Sequence, residues 1–257
     1  MEKLPLHGRV NCTKCFYASD TVRFDTTKRT ENDWRITANP LAWGNEDPEI
    51  IVLGFSKGPT QAGALTSSEH DEIAYKGSRT NVGKILNHVG LLKQNSGESL
   101  SESVSRLIAD RTGRFHFGSL IRCTVERNKD GVWKGSGGGM LDKFIAKPFG
   151  QEVSSNCTER FLKNLSKRTK LILMFGMGTN LNYIRESFNL YKKARGGTWV
   201  WLNNVSYSDG KVTVVHVEHF ASQGRLIPQW LGEQDHERRL YGIAAAKGVE
   251  MALNRNV

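Results

Sequence analysis

The stretch "EIIVLGF" (residues 49–55) decides the fold. A continuous apolar run of this length, closed by a glycine, reads as a strand buried on both faces that runs into a loop. A strand covered on both sides needs helices above and below it, and the chain supplies them in alternation. "RTNVGKILNHVGLL" (79–92) sets Val82, Ile85, Leu86 and Val89 at helical spacing, and "ESLSESVSRLIAD" (98–110) places Leu100, Val104, Leu107 and Ile108 on one face. "FHFGSLI" (115–121) reads as a strand, and residues 155–166 read as a helix carrying Cys157 in its first turn. "KLILMFG" (170–176) is a second buried strand, followed by an amphipathic helix, "NLNYIRESFNLY" (180–191). "TWVWLNNVSY" (198–207) and "KVTVVHVEH" (211–219) read as two strands joined by the turn "SDG", and a last helix covers about 236–253. Strands alternating with helices predict a three-layer α/β/α sandwich around a central, mainly parallel β-sheet.

The chain has 257 residues, enough for a substantial core, and its 38% apolar and 24% charged content is that of a soluble globular protein. Its formal charge of +10 is less ordinary and favours a polyanionic partner, with a merely basic enzyme as the alternative. The opening residues lack the apolar stretch of a signal peptide, and no run is long enough to cross a bilayer. A cytoplasmic location and no membrane partner are therefore expected. Residues 18–47 are polar and irregular. Residues 126–152, with "KGSGGGM", read as a surface excursion and not as a P-loop, because no Gly-Lys-Ser/Thr follows the glycines. With no internal repeat and no linker, a single domain over 1–257 is expected.

"NCTKC" places Cys12 and Cys15 at metal-ligand spacing, and the chain holds two more cysteines, Cys123 and Cys157. In a reducing compartment such a set points to a metal site or redox chemistry before disulfides. Cys123 follows a strand and Cys157 opens a helix, so both belong to one edge of the sheet, where the amino-terminal pair could close a four-thiolate site. Four thiolates suit zinc or an iron–sulfur cluster; the alternative is that Cys123 and Cys157 are small buried residues.

The order "NCTKC", "IIVLGFSKG", "SLIRC", Cys157, "LILMFG" and "VVHVEHFASQGR" resembles the iron–sulfur branch of the uracil-DNA glycosylase superfamily over most of the chain. The resemblance implies a four-iron four-sulfur (4Fe-4S) cluster on Cys12, Cys15, Cys123 and Cys157, although the last two cysteines stand further apart than in the branch. It also implies DNA as partner, a monomer, and hydrolysis of the N-glycosidic bond of uracil, or a related deaminated base, after base flipping.

Two loops would then carry the chemistry. "GFSKGPTQAG" (54–63) resembles the glycine-rich first motif, with Gly54 and Phe55 against the base and Ser56 and Gln61 as candidates to orient water. It departs from the family in having Phe55 and Ser56 where Asp, Asn or Glu is usual. "HFASQGR" (219–225) resembles the His-Pro-Ser motif, with His219 as donor to the leaving base; Phe220 and Ala221 replace Pro and Ser. His216, two residues earlier, is expected to be structural. By the same resemblance Tyr75 matches the aromatic that stacks on the flipped base, and Ser119 stands where many members hold an asparagine that reads its pairing edge. A hydroxyl can donate and accept, so it discriminates uracil from cytosine less sharply. Lys57, Arg79, Gln223 and Arg225 are candidates to hold DNA. Two other readings follow from the same residues: a glycosylase-like protein that recognises lesions or single strands with weak or no catalysis, favoured by the missing carboxylate, and a zinc protein with a basic surface.

Overall fold

A computed structural model describes residues 3–19, 21–135, 140–222 and 224–254. The expected sandwich is present. An eight-stranded sheet runs β1-β4-β6-β5-β9-β12-β11-β10, with strands β1 (Gly8–Arg9), β4 (Leu41–Gly44), β5 (Ile50–Gly54), β6 (Phe115–Ser119), β9 (Leu171–Phe175), β10 (Val200–Asn203), β11 (Ser206–Ser208) and β12 (Thr213–Val217). The four central strands, β6, β5, β9 and β12, are parallel, and the pairs outside them are antiparallel. Every residue of β5, β9 and β12 is buried, as strands covered on both faces must be.

Alternation along β12 shows the two covering layers. Val215 packs under Gly248 of α9 (Arg239–Leu253), whereas the next residue, His216, meets the Tyr183 ring of α7 (Asn182–Arg195) at 5.5 Å. α3 (Arg79–His88), α4 (Leu100–Ala109) and α8 (Leu226–Leu231) join α9 in one layer. α5 (Met140–Ile145) and α6 (Pro148–Leu162) join α7 in the other. α4 starts at a capping box: Ser99 Oγ accepts from the Glu102 N–H, and the Glu102 carboxylate accepts from the Ser99 N–H. Two short helices, α1 (Pro59–Gly63) and α2 (His70–Ile73), follow β5.

Several boundaries differ from the sequence reading. Residues 18–47 are not irregular: β2 (Lys28–Glu31) and β3 (Trp34–Thr37) form a hairpin there. Nor are residues 126–152 a plain excursion, because β7 (Thr124–Lys129) and β8 (Val132–Gly135) extend that hairpin into a second, antiparallel sheet ordered β2-β3-β7-β8. The Arg35–Glu126 pair at 2.9 Å and the Arg127–Asp33 pair at 2.7 Å tie its strands together. The helix expected from 155 starts at Pro148, whose fixed φ suits the first helical turn, so Cys157 lies in its interior. "TWVWLNNVSY" is a hairpin, β10–β11, and not one strand.

Candidate functional site

Parallel strands open their carboxyl ends on one edge, where ligands of such sheets bind. The first loop leaves β5 there. Gly54 pairs with Ser119 of β6; the Leu120 N–H donates to Gly54 O at 2.8 Å and the Ile121 N–H to Phe55 O at 2.9 Å. The structure thus brings Gly54, Phe55, Ser56 and Ser119 together. The Phe55 ring packs against Phe144 at 6.4 Å and Tyr183 at 6.3 Å, so it supports the loop from behind. Ser56 Oγ is buried without a hydrogen-bond partner. Gln61 is half-buried in α1. Tyr75 has a positive φ of 54° and stands edge-to-face with Phe117, Phe175 and Phe220; its hydroxyl is buried and unpartnered. The ring is buried among protein, and the hydroxyl is the group it leaves to be satisfied.

The second loop leaves β12. The Ala221 N–H donates to His219 Nδ1 at 3.1 Å. An acceptor at Nδ1 puts the proton of the neutral ring on Nε2, so the loop itself makes His219 a donor at Nε2. Burial lowers its pKa from the ordinary histidine range, against the opposing pull of the Glu218 carboxylate. Phe220 stacks on the imidazole at 4.4 Å, and Asn81 of α3 donates to Phe220 O at 3.0 Å. Glu218 accepts from the His219 N–H at 2.9 Å and from Arg238 at 2.6 Å. The sequence reading missed Asn81 and Glu218; only the acid beside His219 was a signal. His216 is structural, as expected: it is fully buried, bonds Gly176 O through Nδ1 at 2.9 Å, and is lowered by burial to about 4.

Two expected phosphate contacts are corrected. Lys57 is only 2% exposed, and its ammonium donates to Arg122 O, so it offers DNA no charge. Arg79 donates to Ala74 O, Asp71 O and Ser105 Oγ, and so braces the turn that holds Tyr75. Arg225 is exposed at the start of α8, beside the exposed Leu226. Gln223 lies outside the described residues.

The four cysteines are unbridged and sit within electrostatic reach of one another: the Cys157 thiol feels Cys123, Cys15 and Cys12. Burial raises the Cys15 thiol, takes Cys123 up to about 11 and raises Cys157 further. The Cys15 sulfur accepts from the Asn156 side chain at 3.5 Å, and the Asn39 and Arg122 backbones pull the Cys123 and Cys157 thiols down against burial. Donors aimed at sulfur stabilise the thiolate form. Lys57, brought down to about 8 by burial, and Arg122, down to about 10 for the same reason, lie beside these thiols.

A separate group, His7, His70 and Asp71, has ligand atoms within 4.8 Å of one another. His7 Nδ1 accepts from the Gly44 N–H at 3.2 Å, which leaves Nε2 protonated and 2.7 Å from Asp71, while His70 Nε2 bonds Ala42 O at 3.0 Å. These contacts hold the amino-terminal segment to α2.

No protein-family model matches the chain, and no curated protein matches it. Among solved structures, wild-type SMUG2 of Pedobacter heparinus is similar over 82% of this chain and 78% of its own, at 12% identity and a TM-score of 0.39.

Proposed function

We propose that the protein is a monomeric base-excision repair glycosylase that flips uracil, or a related deaminated base, out of DNA and hydrolyses its N-glycosidic bond. The observation that carries this reading is the His219 ring, fixed by the Ala221 N–H as an Nε2 donor at the carboxyl edge of the parallel strands. When the glycosidic bond breaks ahead of water addition, negative charge gathers on the leaving base. A preorganised donor meets that charge at no further cost of reorganisation. The unpartnered hydroxyls of Ser56 and Tyr75 lie on loops at the same edge and are suited to the polar atoms of a planar base. Arg225 and the net charge of +10 suit a phosphate backbone.

Cys12, Cys15, Cys123 and Cys157 would hold a 4Fe-4S cluster, which supplies no step at the base but ties the amino terminus, the β6–β7 connection and α6 together. One feature of the thiols favours a cluster over a single zinc ion. The Asn156 N–H bond to the Cys15 sulfur suits a cluster, whose sulfurs are commonly hydrogen-bonded.

A second reading, a glycosylase-like binder of lesions or single strands with weak or no chemistry, has one observation in its favour: the first loop offers no carboxylate, and Glu218 is committed to Arg238. The test is base release from single- and double-stranded uracil oligonucleotides by anaerobically purified protein. Alkali-labile sites at uracil are expected; binding without release would favour the second reading.

A further inference from the structure

Two cations lie buried beside the four thiols, and among the described residues neither has a carboxylate partner. Lys57 and Arg122 are each 2% exposed. Their hydrogen-bond partners are neutral. Lys57 Nζ donates to Arg122 O; Arg122 reaches Leu41 O at 3.4 Å and His116 Nε2 at 3.1 Å. His116 is itself a neutral ring: Nδ1 donates to Asn45 O at 2.9 Å, and Nε2, which faces the Arg122 donor, accepts. The guanidinium also lies 5.2 Å over the Phe161 ring. Room has been left for it: a Cβ at residue 118 would collide with Arg122 Nη1, and the chain has glycine there.

A buried cation without an anion costs several kcal/mol even after relaxation. Arginine cannot escape that cost by losing its proton. The groups of opposite sign whose charge reaches Lys57 are the Cys123 and Cys157 thiols; for Arg122 they are Cys157, Tyr191, Cys12 and Tyr75, and burial raises both tyrosines, which leaves the thiols as the groups a metal would ionise. Four thiolates around a dicationic core, whether a 4Fe-4S cluster or a zinc ion, leave a net charge of minus two. Two buried cations neutralise it.

We propose that Lys57 and Arg122 are the buried counter-cations of the four-thiolate centre, and that Lys57 couples loading of that centre to the position of the first base-site loop. Lys57 follows Ser56 directly, so the charge that holds the lysine inward also holds the loop. It is a positioning residue and touches neither base nor DNA. The inference rests on the metal-centre reading given above.

The test compares wild type with Lys57→Met, and with Arg122→Met as a second variant, in metal-loaded and chelator-stripped full-length protein. Removing a charge held next to the ligands is expected to speed metal loss to chelator by roughly tenfold or more, as loss of outer-shell partners does. In the iron-loaded protein the reduction potential should move to more negative values, because a nearby cation favours the reduced, more anionic cluster. In the stripped protein Lys57→Met should be at least as stable as wild type, since it no longer buries an unanswered ammonium. A merely structural lysine would lower the stability of both forms alike and leave metal retention and potential unchanged, and that result overturns the proposal. If wild type holds no metal on these cysteines, the metal-centre reading fails and the proposal goes with it. If wild type holds zinc, the cluster reading fails, and chelator and stability measurements still decide the role of Lys57.

Discussion

The loops after β5 and β12 leave the same edge of one parallel sheet, yet they are turned in opposite directions. In the first, Phe55, Ser56 and Lys57 are all buried, with the lysine anchored on Arg122 O and the aromatic ring set against α5 and α7. In the second, His219 and Phe220 are half-buried, while Ala221 and Arg225 are exposed. The first loop is held by the interior and offers a rotatable hydroxyl; the second holds itself, through the Ala221 N–H, and offers a fixed donor. Equivalent places in a topology do not carry equivalent duties. In the proposed function, the loop that presents an oriented polar group does the chemistry, and the loop with the exposed cation binds DNA.

The largest effect that separates the two loops should come from the thiols. In the proposed metal centre, Cys157→Ser removes one of four ligands that join three distant segments, and a loss on the order of 5 kcal/mol is expected, the range seen when a metal site fails. Hydrogen exchange should speed up at the amides of residues 54–57 more than at 219–222. Equal loss in both loops would break the distinction.

Acid should act next, through the strand that carries the second loop. His216 titrates near 4 because burial disfavours its cation, whereas the unfolded chain binds that proton at ordinary histidine values. The unfolded state therefore holds more protons between these limits. Stability is full at neutral pH and is lost as pH falls from about 6.5 towards 4, by up to about 3 kcal/mol for this one group. His116, also held well below the ordinary range by burial, adds to the same window. Urea unfolding at pH 7 and pH 4.5 measures the drop, and His216→Gln should flatten its share. An unchanged pH dependence in that variant would show that the ring is not buried neutral.

The smallest effect concerns DNA. Arg225→Ala should lower the slope of log K against log salt by about one unit, the share of a single phosphate contact. Lys57→Met should leave the slope as it is. A reduced slope for Lys57→Met would mean that the first loop turns outward on DNA.

The strands of the central sheet were legible because both of their faces are buried, which writes an unbroken apolar run such as "LILMF" into the chain. The second sheet was not. β2 alternates exposed and half-buried polar residues, and β3 finds its partner β7 some ninety positions later, as in the pairing of Arg35 with Glu126. The thiols were legible as a set, but their helix was misplaced, since Pro148 starts it well before Cys157. Lys57 was misread for a physical reason: a lysine in a glycine-rich loop looks like a phosphate ligand until Arg122, sixty-five positions away, is seen to hold it. Asn81, which fixes the second loop through Phe220 O, left no mark that a single sequence could show.

The division of labour between the loops is tested most directly by single-turnover base release from a uracil oligonucleotide, comparing wild type, His219→Ala and Ser56→Ala. Loss of one preorganised donor should slow release by roughly 10²-fold or more in His219→Ala. Ser56→Ala should cost about tenfold or less, the net worth of one neutral hydrogen bond. DNA affinity should change little in either, because phosphate contacts dominate it. Near-normal release by His219→Ala, with release abolished by Ser56→Ala, would contradict the assignment and place the chemistry in the first loop.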